Sequence, residues 1–302
     1  MYNFKEIKKI SKEKLPTWCI FVLYYIRYLF LKFKVGIYVK ENKLKDTANL
    51  KIKNYKKSNT LFILGSGASI VNISSEEWKI IRKSDSFGFN HWIVHDFVPT
   101  FYMFECENPK KLVFFRNLKQ KAEKYKRVPI IYKGLTNQPI DLDRFPSQLR
   151  KNLYISALFL FQCEDVISFS QIIKYMKKLK MFSQSEKMRI HMQCRASISD
   201  IIIFGVIAGY KNIVLCGVDL NKINYFYEAD SNYYKKKGLL IPFSEQKGPI
   251  HRTIDKTVGN LTIDEIVYTL NEIVLKPMGI NLYVAFNSSA LYPKIPFYFR
   301  KL

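Results

Sequence analysis

Negative charge is scarce in this sequence. It has 25 Asp and Glu against 49 Lys and Arg, a net charge of +24. A field of that sign favours anionic partners: nucleic acid, anionic lipid or phosphorylated ligands. Cysteine is sparse as well. Cys19, Cys106, Cys163, Cys194 and Cys216 make no C-x-x-C pair and no even framework. That argues against a disulfide scaffold and for reduced thiols in the cytoplasm. Four scattered histidines do not make a typical zinc cluster. No uninterrupted apolar run approaches the ~20 residues that span a bilayer. No recognised nucleic-acid motif accompanies the lysines, so no specific nucleic-acid partner is expected.

What the chain does have is material for a core. Of its 302 residues 48% are hydrophobic and 15% aromatic, enough for one large domain or two small ones. The stretch that organises it runs from Arg195 to Glu228. Ile198 to Ala208 reads as a helix that is apolar almost all round, hence buried on more than one side. Gly209 stops it, and Ile213 to Cys216 is an apolar run of the kind found in central parallel strands. Gly217 and Asp219 then stand at the carboxyl end of that strand, where open α/β sheets bind ligands.

Residues 1–58 hold fifteen Lys/Arg and four acids. Within them lies Leu15 to Tyr38, whose apolar core, Trp18 to Ile26, is too short to cross a membrane. Two readings stand for it. One is a helix in the headgroup region of an anionic leaflet, on the inner face of the cell membrane. The other is a helix packed on the main domain or used in a homo-oligomer. No small-residue cleavage site follows, so no signal peptide is expected.

Ser58-Asn59 marks a domain boundary, and the remainder, 59–302, reads as one α/β domain. Strands are expected at Thr60 to Leu64, Ser86 to Asn90, Thr100 to Cys106, Val128 to Tyr132 and Asn281 to Phe286. Gly65-Ser66-Gly67-Ala68-Ser69 follows the first of these, and glycines there let backbone N–H groups approach phosphates. Asn90 and Asn108 end the next two strands, each with one donor and one acceptor to offer a base or sugar. Ser197 and Ser199 place hydroxyls at a helix N-terminus, a ready site for a carboxylate or phosphate. Residues 221–250 are rich in Tyr, Asn and Lys and read as a lid. Asp141-Leu142-Asp143 has metal-binding spacing but sits in a proline-flanked connector, so no metal role is expected. Residues 133–190 are harder to read; Pro139, Pro146 and a mixed apolar pattern suggest a connecting region with one or two helices, including basic Ile172 to Met181.

The order of these motifs resembles the bacterial family-42 sialyltransferases, over roughly residues 60–290. The resemblance implies a single Rossmann-like, GT-A-like nucleotide-binding domain with a mainly parallel sheet and a lid, preceded here by the basic, apolar helical extension. It implies an inverting enzyme without metal or cofactor. Such an enzyme moves sialic acid, or a related keto-sugar acid, from a CMP-sugar to a hydroxyl of an oligosaccharide or lipid-linked glycan, such as lipooligosaccharide. By the same resemblance Gly65, Ser66, Gly67, Ser69, Asn90, Asn108, Gly217, Asp219, Asn287 and Ser288 belong to the donor site. Arg195 opens the central helix, and Ser197 and Ser199 hold the sugar carboxylate. His251 is the general base. Tyr225, with Tyr227 as the alternative, stabilises the departing phosphate. Asn221 stands where the family has a further tyrosine, and Lys235, Lys236, Lys237 or Arg252 could supply the missing donor. Two other classes stay open: a phosphate-binding enzyme of similar fold, such as a diphosphokinase-like protein, and a non-catalytic basic lipid or nucleic-acid binder.

Overall fold

The computed structural model describes residues 15–105, 111–133, 140–188, 190–221, 224–242, 251–257 and 260–299. Its centre is one eight-stranded sheet in which every pairing is parallel. The strands are β1 (Lys45–Asp46), β2 (Thr60–Leu64), β3 (Asp85–Phe89), β4 (Phe101–Phe104), β5 (Ile130–Lys133), β6 (Leu153–Ser156), β9 (Asn212–Cys216) and β10 (Asn281–Val284), in the order β1-β6-β5-β4-β3-β2-β9-β10. Two further strands, β7 (Leu158–Phe161) and β8 (His191–Cys194), form a separate parallel pair. Helices cover the sheet, so its inner strands are apolar on both sides and do not alternate. Leu61 to Leu64 and Ile213 to Cys216 are buried without a break. The result is an α/β fold compatible with the Rossmann-like class.

The strand order decides where a ligand belongs. From β2 the chain proceeds outward through β3, β4, β5 and β6. It then returns to place β9 on the other side of β2, with β10 beyond. The direction of winding therefore reverses between β2 and β9, and open parallel sheets bind ligands in the crevice beyond the strand ends at such a reversal.

The helices follow local rules. α1 (Thr17–Glu41) starts directly after Pro16. α2 (Ser75–Lys83) opens on a capping box, Ser74 with Glu77, and has Arg82 and Lys83 in its last turn, so both ends complement the helix dipole. α3 (Lys111–Tyr125) and α4 (Val166–Lys178) are amphipathic. All eleven residues of α5 (Ser197–Ile207) are buried, because it lies between β2 on one side and β8 on the other. Two short helices follow β9, α6 (Phe226–Ala229) and α7 (Ser231–Lys236). α8 (Ile263–Leu270) runs on into a π turn at Asn271–Leu275.

Two expectations change. Residues 15–57 are not set apart from the domain: β1 pairs with β6, and α1 lays Phe21, Tyr24, Tyr28, Leu31 and Val35 into the core. The region 133–190, expected to be a connector with one or two helices, supplies strands β6 and β7 as well as α4, which overlaps the expected Ile172–Met181 helix but starts earlier. Its strands are only four residues each, too short to show a period.

Candidate functional site

At the reversal point the turns after β2 and β9 interlock. Gly65 N–H donates to the Cys216 carbonyl at 2.8 Å, and Gly67 N–H to the Gly217 carbonyl at 2.9 Å. A Cβ at Gly65 would lie 2.5 Å from the Gly217 oxygen, and Gly217 has φ +63°. No side chain fits the first position, and few tolerate the second. Asp219 is 4% exposed and takes the Ser69 N–H at 2.9 Å and the Ser69 hydroxyl. The N–H groups of Gly65, Gly67 and Ser69 are therefore spent on protein oxygens. This corrects the expectation that they cradle a phosphate: the glycines are needed because two backbones pass close together.

The same crevice is walled by two other turns. Phe226 N–H donates to the Ser66 carbonyl at 3.0 Å, which brings Tyr225 beside Gly67. Ala290 N–H donates to the Asp219 carbonyl at 2.9 Å, and the Ser289 hydroxyl donates to the Val218 carbonyl at 2.7 Å. Asn221 uses its side-chain amide on the Ser288 carbonyl at 2.8 Å. Asn221 is thus a staple between turns, and Asn287 and Ser288 stand exposed beyond it. The residue that anchors this turn, Ser289, was not singled out in the sequence; its neighbours carried the motif.

Arg195, expected to open the central helix, organises a second turn. Its guanidinium donates to the carbonyls of Arg252 at 2.8 Å, Asp255 at 2.8 Å and Thr253 at 3.3 Å. Its own φ is +67°, a conformation that costs a non-glycine residue about 1–3 kcal/mol. Three charge-assisted bonds offset that cost. The turn they hold carries His251, whose Nδ1 lies 2.7 Å from Thr253 Oγ1 and 3.3 Å from Thr253 N. Burial lowers the His251 pKa, and the Asp219 carboxylate is near enough to oppose that shift. The Asp219 charge acting on His251 links the imidazole electrostatically to the reversal point.

Next to this lies a cluster the sequence did not announce. Lys133, at the end of β5, is 1% exposed. Its ammonium donates to Ser197 Oγ at 2.7 Å and to Gln193, and pairs with Glu105 at 3.3 Å. Ser197 Oγ donates in turn to Glu105 at 3.3 Å. The cluster sits at the N-terminus of α5, which has no side-chain cap. Cation, hydroxyl and helix dipole thus converge there. Ser199 does not join them: it is fully buried, and its hydroxyl is bonded to the backbone of Cys194 and Ala196.

Asn90 closes β3 with φ +50°, and its carbonyl accepts from the Tyr102 hydroxyl. Asn108 and residues 222–223 and 243–250 lie outside the described residues. The described part of the expected lid is tied down. Asn117 exchanges two bonds with Leu240, and Asp96 accepts from Tyr233 and Lys237. Lys237 is thereby committed to an ion pair away from any phosphate. Tyr227 is 2% exposed, and burial raises its pKa strongly, so it reads as core. Tyr225, half-buried and stacked on Tyr227 at 5.2 Å, is the better placed of the two.

Two of the other three histidines have structural places. His95 stacks between Trp78 and Trp92, and His191 pairs with Asp200 inside the core. Among the described residues no group of His, Cys, Asp and Glu is placed to hold a metal ion. No protein-family model matches the chain, and no curated protein matches it significantly.

Proposed function

We propose that the protein is an inverting glycosyltransferase of GT-A-like type, moving sialic acid or a related keto-sugar acid from a CMP-sugar to a glycan hydroxyl. The observation that carries the reading is the Arg195 clamp. It holds a half-buried histidine, kept neutral near pH 7 by its lowered pKa, beside the crevice where the sheet reverses. A neutral imidazole at that place suits proton removal from an attacking hydroxyl.

The chemistry is a single displacement. The acceptor oxygen bonds to the anomeric carbon, the bond from that carbon to the phosphate oxygen breaks, and CMP leaves with the electron pair. The acceptor proton passes to His251 Nε2. That requires the tautomer in which Nδ1–H donates to Thr253 Oγ1, the shorter of its two contacts. The uncapped N-terminus of α5 suits the sugar's carboxylate, with Lys133 and Ser197, bonded to each other and to Glu105, holding that turn in place. Tyr225 and exposed Arg252 are the donors assigned to the departing phosphate.

The test is to incubate the protein with CMP-sialic acid and follow CMP release, with and without a glycan acceptor. Acceptor-stimulated release by the wild type, lost in His251→Ala while CMP still binds, supports the reading. Absence of CMP binding and release would overturn it.

A further inference from the structure

Helix α1 has two apolar faces, and the fold uses only one. Phe21, Tyr24, Tyr28, Leu31 and Val35 are buried against β7 and α4. On the other side Trp18, Val22, Ile26, Leu29, Phe33 and Ile37 are 41–66% exposed. Their spacing of three or four residues sets them on one line along the helix, within an arc of roughly 100°. Seven of the thirteen large apolar side chains exposed among the described residues fall between Leu15 and Ile37. Elsewhere such side chains are scattered, which is ordinary; here they form a continuous patch, which is not.

The charges around the stripe are of one sign. Lys32 and Lys34 flank it, and Lys40 stands at its end, all exposed. Glu41, in the last position, is the only acid in the helix. No described helix is long and apolar enough to cross a membrane.

We infer that this face of α1 is a docking surface for an anionic lipid bilayer, with the helix lying in the headgroup plane and the domain seated on its back. Three features favour lipid over a second copy of the chain. The stripe runs about 28 Å and is one helix wide, about 10 Å, so it covers some 300 Å². A stable protein interface takes about 800 Å² from each partner. Two copies would also bring their lysine flanks together, each from a chain of net charge +24, whereas anionic headgroups attract them. Trp18 and Phe33, the two most exposed members at 58% and 66%, are large aromatic groups suited to the headgroup boundary. The inference stands on α1 alone and does not depend on the reading of the crevice.

The test is sedimentation of the full chain with vesicles of phosphatidylcholine alone and of phosphatidylcholine with phosphatidylglycerol. Binding to the anionic vesicles, weakened by added salt, is expected. The double variant Ile26→Gln, Phe33→Gln keeps the charge and touches only exposed positions, so its thermal unfolding should match the wild type. Its partitioning should fall at least tenfold. A second variant, Lys32→Gln with Lys34→Gln, should bind more weakly and with a shallower salt dependence. Three results would overturn the inference. One is indifference of the wild type to both vesicles; another is unchanged partitioning of the apolar double variant. The third is a wild-type dimer in the ultracentrifuge that the same variant converts to monomer.

Discussion

Arg195 reaches His251 through a single peptide: its guanidinium binds the carbonyl of Arg252, the next residue in the chain, at 2.8 Å. The same nitrogen, Nη2, also binds the Asp255 carbonyl at 2.8 Å, and Nε binds the Thr253 carbonyl at 3.3 Å. A guanidinium spans two diverging carbonyls with fixed geometry, and an ammonium does not. The arginine therefore positions the histidine.

Arg195→Lys keeps the charge and removes the fork. The expected result is a turnover loss of at least tenfold with CMP-sialic acid, with CMP affinity changed by less than about threefold, since a group about 1 Å out of place can cost far more in rate than in binding. Titration calorimetry with CMP beside a rate assay checks it. Loss of CMP affinity at an unchanged rate would place Arg195 on the donor instead.

Thr253 decides which nitrogen of His251 is free. Its hydroxyl can accept from Nδ1–H, leaving Nε2 with the lone pair that base chemistry needs. Its backbone N–H can only donate to Nδ1, which puts the ring hydrogen on Nε2. Thr253→Val removes the first option at nearly constant volume. A fall in kcat with little change in KM is expected, and Thr253→Ser should restore most of it. The lowered His251 pKa adds a sign: the neutral base persists below pH 6.5, so the acid limb of the wild-type rate profile falls below that value.

Much of the fold was legible because Leu61 to Leu64, Ile201 to Phe204 and Ile213 to Cys216 are apolar without interruption, the mark of buried elements. Gly65 and Gly217 were legible as special positions, but not for the right reason. A glycine reports that space is short without saying whether backbone or ligand fills it, and here it is backbone. Lys133 and Glu105 were invisible because each lies at a strand end among ordinary polar residues. Their meeting depends on β4 and β5 being neighbours, which no local pattern states. Ser199 failed for the opposite reason. At a helix start a serine serves its own loop as readily as a ligand, and this one bonds to Cys194 and Ala196.

Asp219 joins the two turns at the reversal point, taking both donors of Ser69. Asp219→Asn keeps the shape but turns one oxygen into an NH₂ group that faces a donor. With Asp219 4% exposed, water does not compensate. The expected cost is about 1–3 kcal/mol, seen as a lower urea midpoint at an unchanged slope. An unchanged midpoint would show that Ser69 finds another acceptor.

Lys133 holds the turn assigned to the sugar carboxylate, and CMP, which lacks that group, isolates its part. Lys133→Met should raise KM for CMP-sialic acid while leaving CMP affinity within about twofold, because CMP carries no carboxylate. It also strips Glu105 of its counter-ion. Glu105 is partly exposed, so the stability cost should stay below the 3–5 kcal/mol of a fully buried pair. Equal losses of CMP and CMP-sialic acid affinity would show that Lys133 supports the whole donor site rather than the carboxylate turn.

His95 supplies an acid-sensitive element away from the crevice. It stacks on Trp92 at 4.4 Å and Trp78 at 5.2 Å, and its Nδ1 accepts from Phe97 N–H at 3.0 Å. Burial, with Lys121 close by, lowers its pKa from 6.5 to about 4. Between those values the unfolded chain binds a proton that the folded one refuses, so stability rises with pH across the interval. The stabilisation is fully present above pH 6.5 and is lost as pH falls toward 4, by up to about 3 kcal/mol. His95→Phe keeps the stacking and removes the titration. It leaves the Phe97 N–H without its acceptor, so the variant should be less stable than the wild type at pH 7 by about 1–3 kcal/mol. On acidification the gap should close, because only the wild type has His95 left to protonate. Urea denaturation of both proteins at pH 7, 5.5 and 4.5 reads the gap directly, and a gap independent of pH would show that His95 is protonated equally in both states.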